Sequence, residues 1–293
     1  MVGDRGWRHG LRVALFVLPG FSALFLFVIG PIAASLALTV FEWDLLTDPE
    51  FVGIDNFRRL LADDTFWSAL WHTLGYIAGY VPLVLIAALG VALALNTRMP
   101  ALGAIRTAFF LPVVSSWVAV ALLWTWMFNP RFGLINYGLS VVGIDGPEWL
   151  YDRYWAMPAI ILTSVWKDLG FVMVVFLAGL QSIPRDYYEA AALDGANGWE
   201  RLKSITLPLL APTTFFVTII SVIGSFQVFT QVWIMTEGGP SGSTTVLVER
   251  IVKHAFSYGE MGYAATISWV LCLIVFAVTM MQHRLQRWSA GYE

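Results

Sequence analysis

Two adjacent charged residues, Lys167 and Asp168, stand inside an otherwise apolar run at 155–180. A charge at the centre of a bilayer costs about 2.5–3.5 kcal/mol by insertion measurements, so both side chains must face protein or a water-filled path. The lysine could bond a hydroxyl or a phosphate of a passing solute. The favoured expectation is plainer: the two charges pair with groups on neighbouring helices and set the geometry of a bundle. A second polar set follows in the run at 209–236, where Thr218, Ser221, Gly224, Ser225, Gln227, Val228 and Gln231 share one half of a helix of period 3.6, with Phe215, Phe226 and Phe229 around them. Amides and hydroxyls can pair with the polar groups of a solute, and an aromatic ring can lie on its apolar face. The same side chains also bind helices to one another. Ser221, Ser225, Gln227, Phe229, Gln231 and Lys167 are the candidates for a solute path.

Catalytic chemistry has little to work with. The four histidines, His9, His72, His254 and His283, are scattered, and an intramembrane enzyme would need them clustered with Cys or carboxylates. His72, near the outer end of the second apolar run, reads as a packing residue. The single cysteine, Cys272, lies in an apolar run and can form neither an intrachain disulfide nor a multi-thiol metal site. No Gly-x-x-x-x-Gly-Lys-Ser/Thr phosphate loop occurs; the nearest phrase, Gly238-Gly-Pro-Ser-Gly242-Ser-Thr, lacks the lysine. The chain is not expected to be an enzyme or to hydrolyse ATP.

The block 189–212 is charged and compact, and it lies between two apolar runs. Pro184 marks the end of the preceding run, 185–193 predicts a short helix, Gly195 interrupts it, and 199–205 predicts a second before Pro208 opens the next run. Ala190, Ala191 and Ala192 keep the backbone accessible, while Tyr187, Tyr188, Leu193 and Trp199 can anchor in a groove. A helix lying on anionic lipid would carry an excess of basic residues. Here Asp186, Glu189, Asp194 and Glu200 outnumber Arg185, Arg201 and Lys203. The block is therefore a knob for a protein cleft.

These features sit in a chain of 293 residues, 58% hydrophobic and 13% charged, with mean hydropathy +0.71. That is too little polar surface for a soluble domain of this size. The net charge of −3 offers no basic stripe to nucleic acid. Six runs are long enough to cross roughly 30 Å of hydrocarbon: 11–40, 68–95, 105–128, 155–180, 209–236 and 261–282. The first is about twice the length of a signal-peptide core, which favours its retention as a spanning helix. The expected architecture is all-α, one polytopic domain over 1–293 with six transmembrane helices.

Basic residues set the orientation. Arg5, Arg8, Arg12, Arg98, Arg106, Arg185, Arg201, Lys203, Arg284 and Arg287 fall on one side, and Arg58, Arg59, Arg131, Arg153, Arg250 and Lys253 on the other. The bias puts both termini and the 185–206 loop in the cytoplasm. Within the runs, Gly75 and Gly79 form a small-xxx-small pair, Pro82 and Pro112 are kinking devices, and Trp149, Tyr151, Tyr154 and Trp155 are expected at the outer headgroup level.

Glu189-Ala-Ala with Asp194-Gly-Ala and Ile205-Thr-Leu-Pro208 resembles the EAA loop of permease subunits in binding-protein-dependent ABC importers. The likeness covers nearly the whole chain: Gly53-Ile-Asp-Asn-Phe57, Asp64-Thr-Phe66-Trp67 with Thr73, Phe176-Leu-Ala-Gly-Leu-Gln-Ser-Ile-Pro184, Ser225-Phe-Gln-Val-Phe229, Thr236-Glu-Gly-Gly-Pro240 and Met261-Gly-Tyr-Ala264 are similar to carbohydrate importers of the maltose and glycerol-phosphate type. Leu202 stands where that family usually has Phe, and His72 where it often has Asn. The resemblance implies a type I ABC importer permease in the plasma or inner membrane, a separate ATP-binding subunit dimer holding ATP and magnesium, a second homologous permease subunit, an extracytoplasmic solute-binding protein and a carbohydrate cargo. It implies that Glu189, Ala190, Ala191, Asp194, Gly195, Leu202 and Pro208 couple to the ATPase. The identity of the sugar is left open, and Lys167 keeps a sugar or glycerol phosphate in play. The rival reading is an ion-coupled secondary transporter, which would ask for matched halves and charged relays at mid-membrane.

Overall fold

A computed structural model describes residues 7–97 and 100–290; Arg5 and Arg98 of the orientation count lie outside the described residues, as do the side chains of Arg8, His9 and Arg287. The chain divides into two compact units, Met1–Asp63 with Ile251–Val270, and Asp64–Arg250 with Leu271–Glu293.

The first unit opens with α1 (Trp7–Leu24) and α2 (Gly30–Leu38), joined by a π turn over Phe25–Ile29. Pro31, in the first turn of α2, cannot donate to the ladder, and the Gly30 amide reaches back to the Phe25 carbonyl, which widens the helix locally. Gly10–Leu38 forms one apolar span. A short antiparallel pair, β1 (Phe41–Glu42) and β2 (Glu50–Phe51), leads into α3 (Asp55–Leu61). The buried Asn56 amide ties this loop down by donating to the carbonyls of Thr39 and Phe41 at 3.0 and 2.9 Å. Arg59 pairs with Glu260 at 2.8 Å and lies over the Tyr263 ring, while His254 Nδ1 meets the other Glu260 oxygen at 2.6 Å. Gly262 packs directly on the Phe41 carbonyl, where no side chain could fit.

The second unit is built around α4 (Asp64–Leu95). Then come α5 (Leu102–Val114), α6 (Trp117–Met127), α7 (Leu134–Val141) and α8 (Ala156–Ser182). The helical block follows as α9 (Arg185–Leu193), α10 (Gly198–Arg201) and α11 (Leu207–Leu209). After it come α12 (Ala211–Phe226), α13 (Thr230–Met235), α14 (Leu247–Val252) and α15 (Met261–Ala290), the last two running across the division between units. Helices α4 and α8 pack along their length. Gly79 of α4 faces Ile161 of α8 so closely that a Cβ would sit 2.7 Å from its Cδ1, whereas Gly75 looks into open space. Of the expected glycine pair, only Gly79 makes the close approach. Gly170 of α8 does the same against the Phe109 carbonyl of α5.

Among the described residues, four helices are long and apolar enough to span a membrane, and two bent pairs raise the number to six. The bends revise the expected boundaries. The run 105–128 is α5 and α6, turned by 100° at Ser115 and Ser116. Pro112 withholds an amide from the last turn of α5, and both serines take extended backbone angles. Pro82, by contrast, is accommodated within an unbroken α4. The run 209–236 is also discontinuous. Its helix stops at Phe226, residues 227–229 leave the ladder, and α13 resumes at Thr230.

The outer aromatic cluster splits as well. Trp149 turns inward, 9% exposed, tilted against Phe128 and edge-on to Trp155, and donates its indole N–H to Asn136 Oδ1 at 2.7 Å. A buried indole needs such a partner. Tyr151 and Tyr154 stay exposed.

Candidate functional site

The break between α5 and α6 opens one wall of a cavity of about 380 Å³ inside the second unit. Helix α4 contributes Tyr76 and Tyr80, one turn apart, with rings stacked 5.4 Å between centroids and 6° between planes. Trp117 comes from the first turn of α6, Lys167 and Asp168 from α8, and Ser221 and Ser225 from α12. Gln227 and Phe229 come from the interrupted stretch that follows, and Gln231 from α13.

The buried Lys167 and the half-buried Asp168 are both engaged. Lys167 donates from Nζ to the Val113 carbonyl at 3.1 Å and sits 4.9 Å from the Trp117 ring centroid. It thereby caps a carbonyl that the 100° turn leaves without a helical donor, and a cation over an indole face is favourable. Tyr80 donates its hydroxyl to Asp168 Oδ2 at 2.8 Å. Lys167 thus acts first as a clamp on the broken helix, and Asp168 remains on the cavity wall with acceptor capacity to spare.

The other candidates are sorted by the fold. Ser225 is 1% exposed and donates to the Ser221 carbonyl, so its hydroxyl is occupied within α12. Gln231 is 6% exposed and donates weakly to Tyr76 and Ser164 at 3.4 and 3.3 Å, a strut between α13, α4 and α8. Gln227, released from the helix just past Phe226, keeps its amide exposed to the cavity. Phe229 is half-buried, with its ring 5.5 Å from Trp233. Thr218 donates to the Thr214 carbonyl and does not line the space.

Tyr76, Tyr80 and Trp117 escaped the sequence reading. An i, i+4 tyrosine pair was visible in the second run, but a cavity beside it was not. His72 meets the Thr245 carbonyl at 3.1 Å, as a packing residue does. Phenol, amide, carboxylate and indole groups around a cavity can exchange hydrogen bonds with a polyhydroxylated solute and stack on its apolar faces.

At the far end of α8 the helical block forms a two-helix knob. Gly195 takes φ +81°, and the Ala196 amide returns to the Ala191 carbonyl at 2.9 Å, closing α9 with a left-handed cap. Asn197 and Glu200 form a reciprocal capping box that starts α10. The second helix begins at Gly198, one residue before the expected start, and runs through a π turn over Leu202–Thr206 into α11. Pro208 therefore does not stop it; the chain bends by 64° at Leu210. Tyr188 is half-buried, and its hydroxyl meets Thr206 Oγ1 at 3.0 Å and braces the knob from within. Tyr187, Leu193 and Trp199 are 54%, 90% and 69% exposed. Glu189, Ala190, Asp194, Gly195 and Pro208 are exposed, and Ala191 and Leu202 half-buried.

Helices long and apolar enough to span a membrane, a cavity lined by polar and apolar side chains together and a capped helical knob beyond one span are the features of a membrane transport subunit. The chain belongs to the family of binding-protein-dependent transport system inner membrane components, whose profile matches residues 11–289. It is 38% identical over 291 residues to the probable ABC transporter permease protein YesP of Bacillus subtilis, covering 98% of this chain and 94% of the relative. It is 38% identical over 274 residues to the lactose transport system permease protein LacF of Rhizobium radiobacter, covering 92% and 91%. The fold matches a bacterial ABC transporter that imports the acidic polysaccharide alginate, with TM-score 0.83 and 24% identity over 97% of this chain and 99% of that one.

Proposed function

We propose that residues 1–293 serve as one permease domain that, with a second homologous subunit, lines the path of a carbohydrate through an ATP-driven importer. The lining of the cavity carries this reading: stacked Tyr76 and Tyr80, Trp117, Asp168 and the exposed Gln227, with Lys167 turned to the Val113 carbonyl, suit a neutral sugar better than an anion. The lactose permease relative supports the same solute class. The knob of α9 and α10 would be gripped by a dimer of ATP-binding subunits, which would hold ATP and magnesium, and would pass their closure to α8 and α12 as a lever. Both chain termini would then lie in the cytoplasm, and a solute-binding protein would deliver cargo from outside. The ion-coupled reading gains no observation, since Lys167 and Asp168 are each held by a neighbouring group.

The test is uptake into vesicles carrying the chain with its co-purified subunits and binding protein. ATP-dependent accumulation of a labelled neutral sugar is expected, together with crosslinks from Ala191 to an ATP-binding protein. Accumulation driven by an ion gradient without ATP would overturn the reading.

A further inference from the structure

A second polar cavity, of about 420 Å³, lies at the end of the second unit that carries the knob, lined by Asn96, Thr97, Arg106, Gln181 and Arg185. All five side chains carry hydrogen-bond donors, two of them are guanidinium groups, and no carboxylate lines it among the described residues. Arg106 is held in place on α5 by donating one Nη to the Leu95 carbonyl at 2.9 Å, yet its buried Nε has no partner. Arg185 opens α9, a nine-residue helix without a side-chain cap, and makes no side-chain hydrogen bond among the described residues. Carbonyl ends of α4 and α8 nearby disfavour an anion, but the Leu95 carbonyl is already taken by Arg106. One guanidinium tied by its Nη and a second that is exposed, lining one cavity with neutral donors, offer the charge-assisted hydrogen bonds that a phosphate group accepts.

We propose that this cavity binds a phosphate group: the phosphodiester headgroup of an anionic lipid, or free phosphate. The occupant would join the α4 and α5 ends to the first residue of the knob and so stiffen the link between α8 and α9. The site is separate from the solute cavity, and its chemistry does not depend on the proposed cargo.

The full chain in neutral detergent is examined by native mass spectrometry with phosphatidylglycerol or phosphatidylcholine, and by thermal unfolding in inorganic phosphate against chloride at equal ionic strength. Wild type is expected to retain phosphatidylglycerol over phosphatidylcholine, and Arg185→Gln to weaken that retention at least about tenfold, the weight of one charge-assisted hydrogen bond. Arg106→Lys keeps the charge but not the fork and should fall between. Arg185 is exposed, so its substitution tests binding even where an Arg106 variant folds poorly. Stabilisation by inorganic phosphate alone, lost in Arg185→Gln, identifies free phosphate as the occupant. Absence of both effects, or binding that the two variants leave unchanged, overturns the proposal.

Discussion

Gln227 and Ser225 are two residues apart in a stretch that reads as one helix, yet of the two only Gln227 is exposed at the cavity with no side-chain hydrogen bond among the described residues. Gln227→Ala should raise the half-saturating sugar concentration roughly fivefold, about 1 kcal/mol for a hydrogen bond, with maximal uptake retained. Ser225→Ala should leave uptake unchanged, because its hydroxyl is already spent on Ser221. Equal losses in both would mean that the solute meets a continuous helical face. Tyr80→Phe removes the donor to the half-buried Asp168, a hydrogen bond worth about 1 kcal/mol. Thermal unfolding in detergent should show that loss.

Among the elements, two glycines separate backbone strain from packing. At Gly195 the φ of +81° is demanding but the space around it is open. Gly195→Asn should therefore retain coupled transport, while Gly195→Val, strained by about 1–2 kcal/mol, should shift the knob and lower uptake relative to ATP hydrolysis. At Gly170 the helix conformation is ordinary and the obstacle is the Phe109 carbonyl. Gly170→Val should push α5 off α8 and lower stability by about 1–3 kcal/mol, read as an earlier thermal transition. The helices themselves were largely legible in the sequence, because a run of apolar residues of membrane length is a local property. The knob was legible for the same reason, from Pro184, Gly195 and the charge pattern. The interruption at 227–229 was not: Gln227, Val228 and Phe229 fit a helical period, and nothing in their order announces that α13 packs separately.

In the molecule as a whole, segments 201 positions apart are joined through Glu260, as its contact with Arg59 shows. Burial alone would raise the Glu260 carboxyl, but the Arg59 guanidinium and the His254 ring together hold it below the ordinary glutamate range. A depressed folded pKa means that this contribution to stability is complete above the unfolded-state value and fades as pH falls through the folded one. Unfolding followed from neutral pH into that acidic window should show a loss that Glu260→Gln abolishes. An unchanged pH profile in Glu260→Gln would show that other carboxylates govern the acid limb.

Composition and periodicity by themselves determined that this chain is a helical membrane protein with a protruding knob, since both arise from the length and polarity of neighbouring residues. The motif string pointed to the importer family for which residues 11–289 match. Only the tertiary structure decided which polar groups are spent and which are free. Tyr80 meets Asp168 across 88 positions, and Lys167 meets Val113 across 54. Such pairings depend on where α5 breaks and how closely Gly79 and Gly170 let helices approach, and a linear pattern carries neither distance.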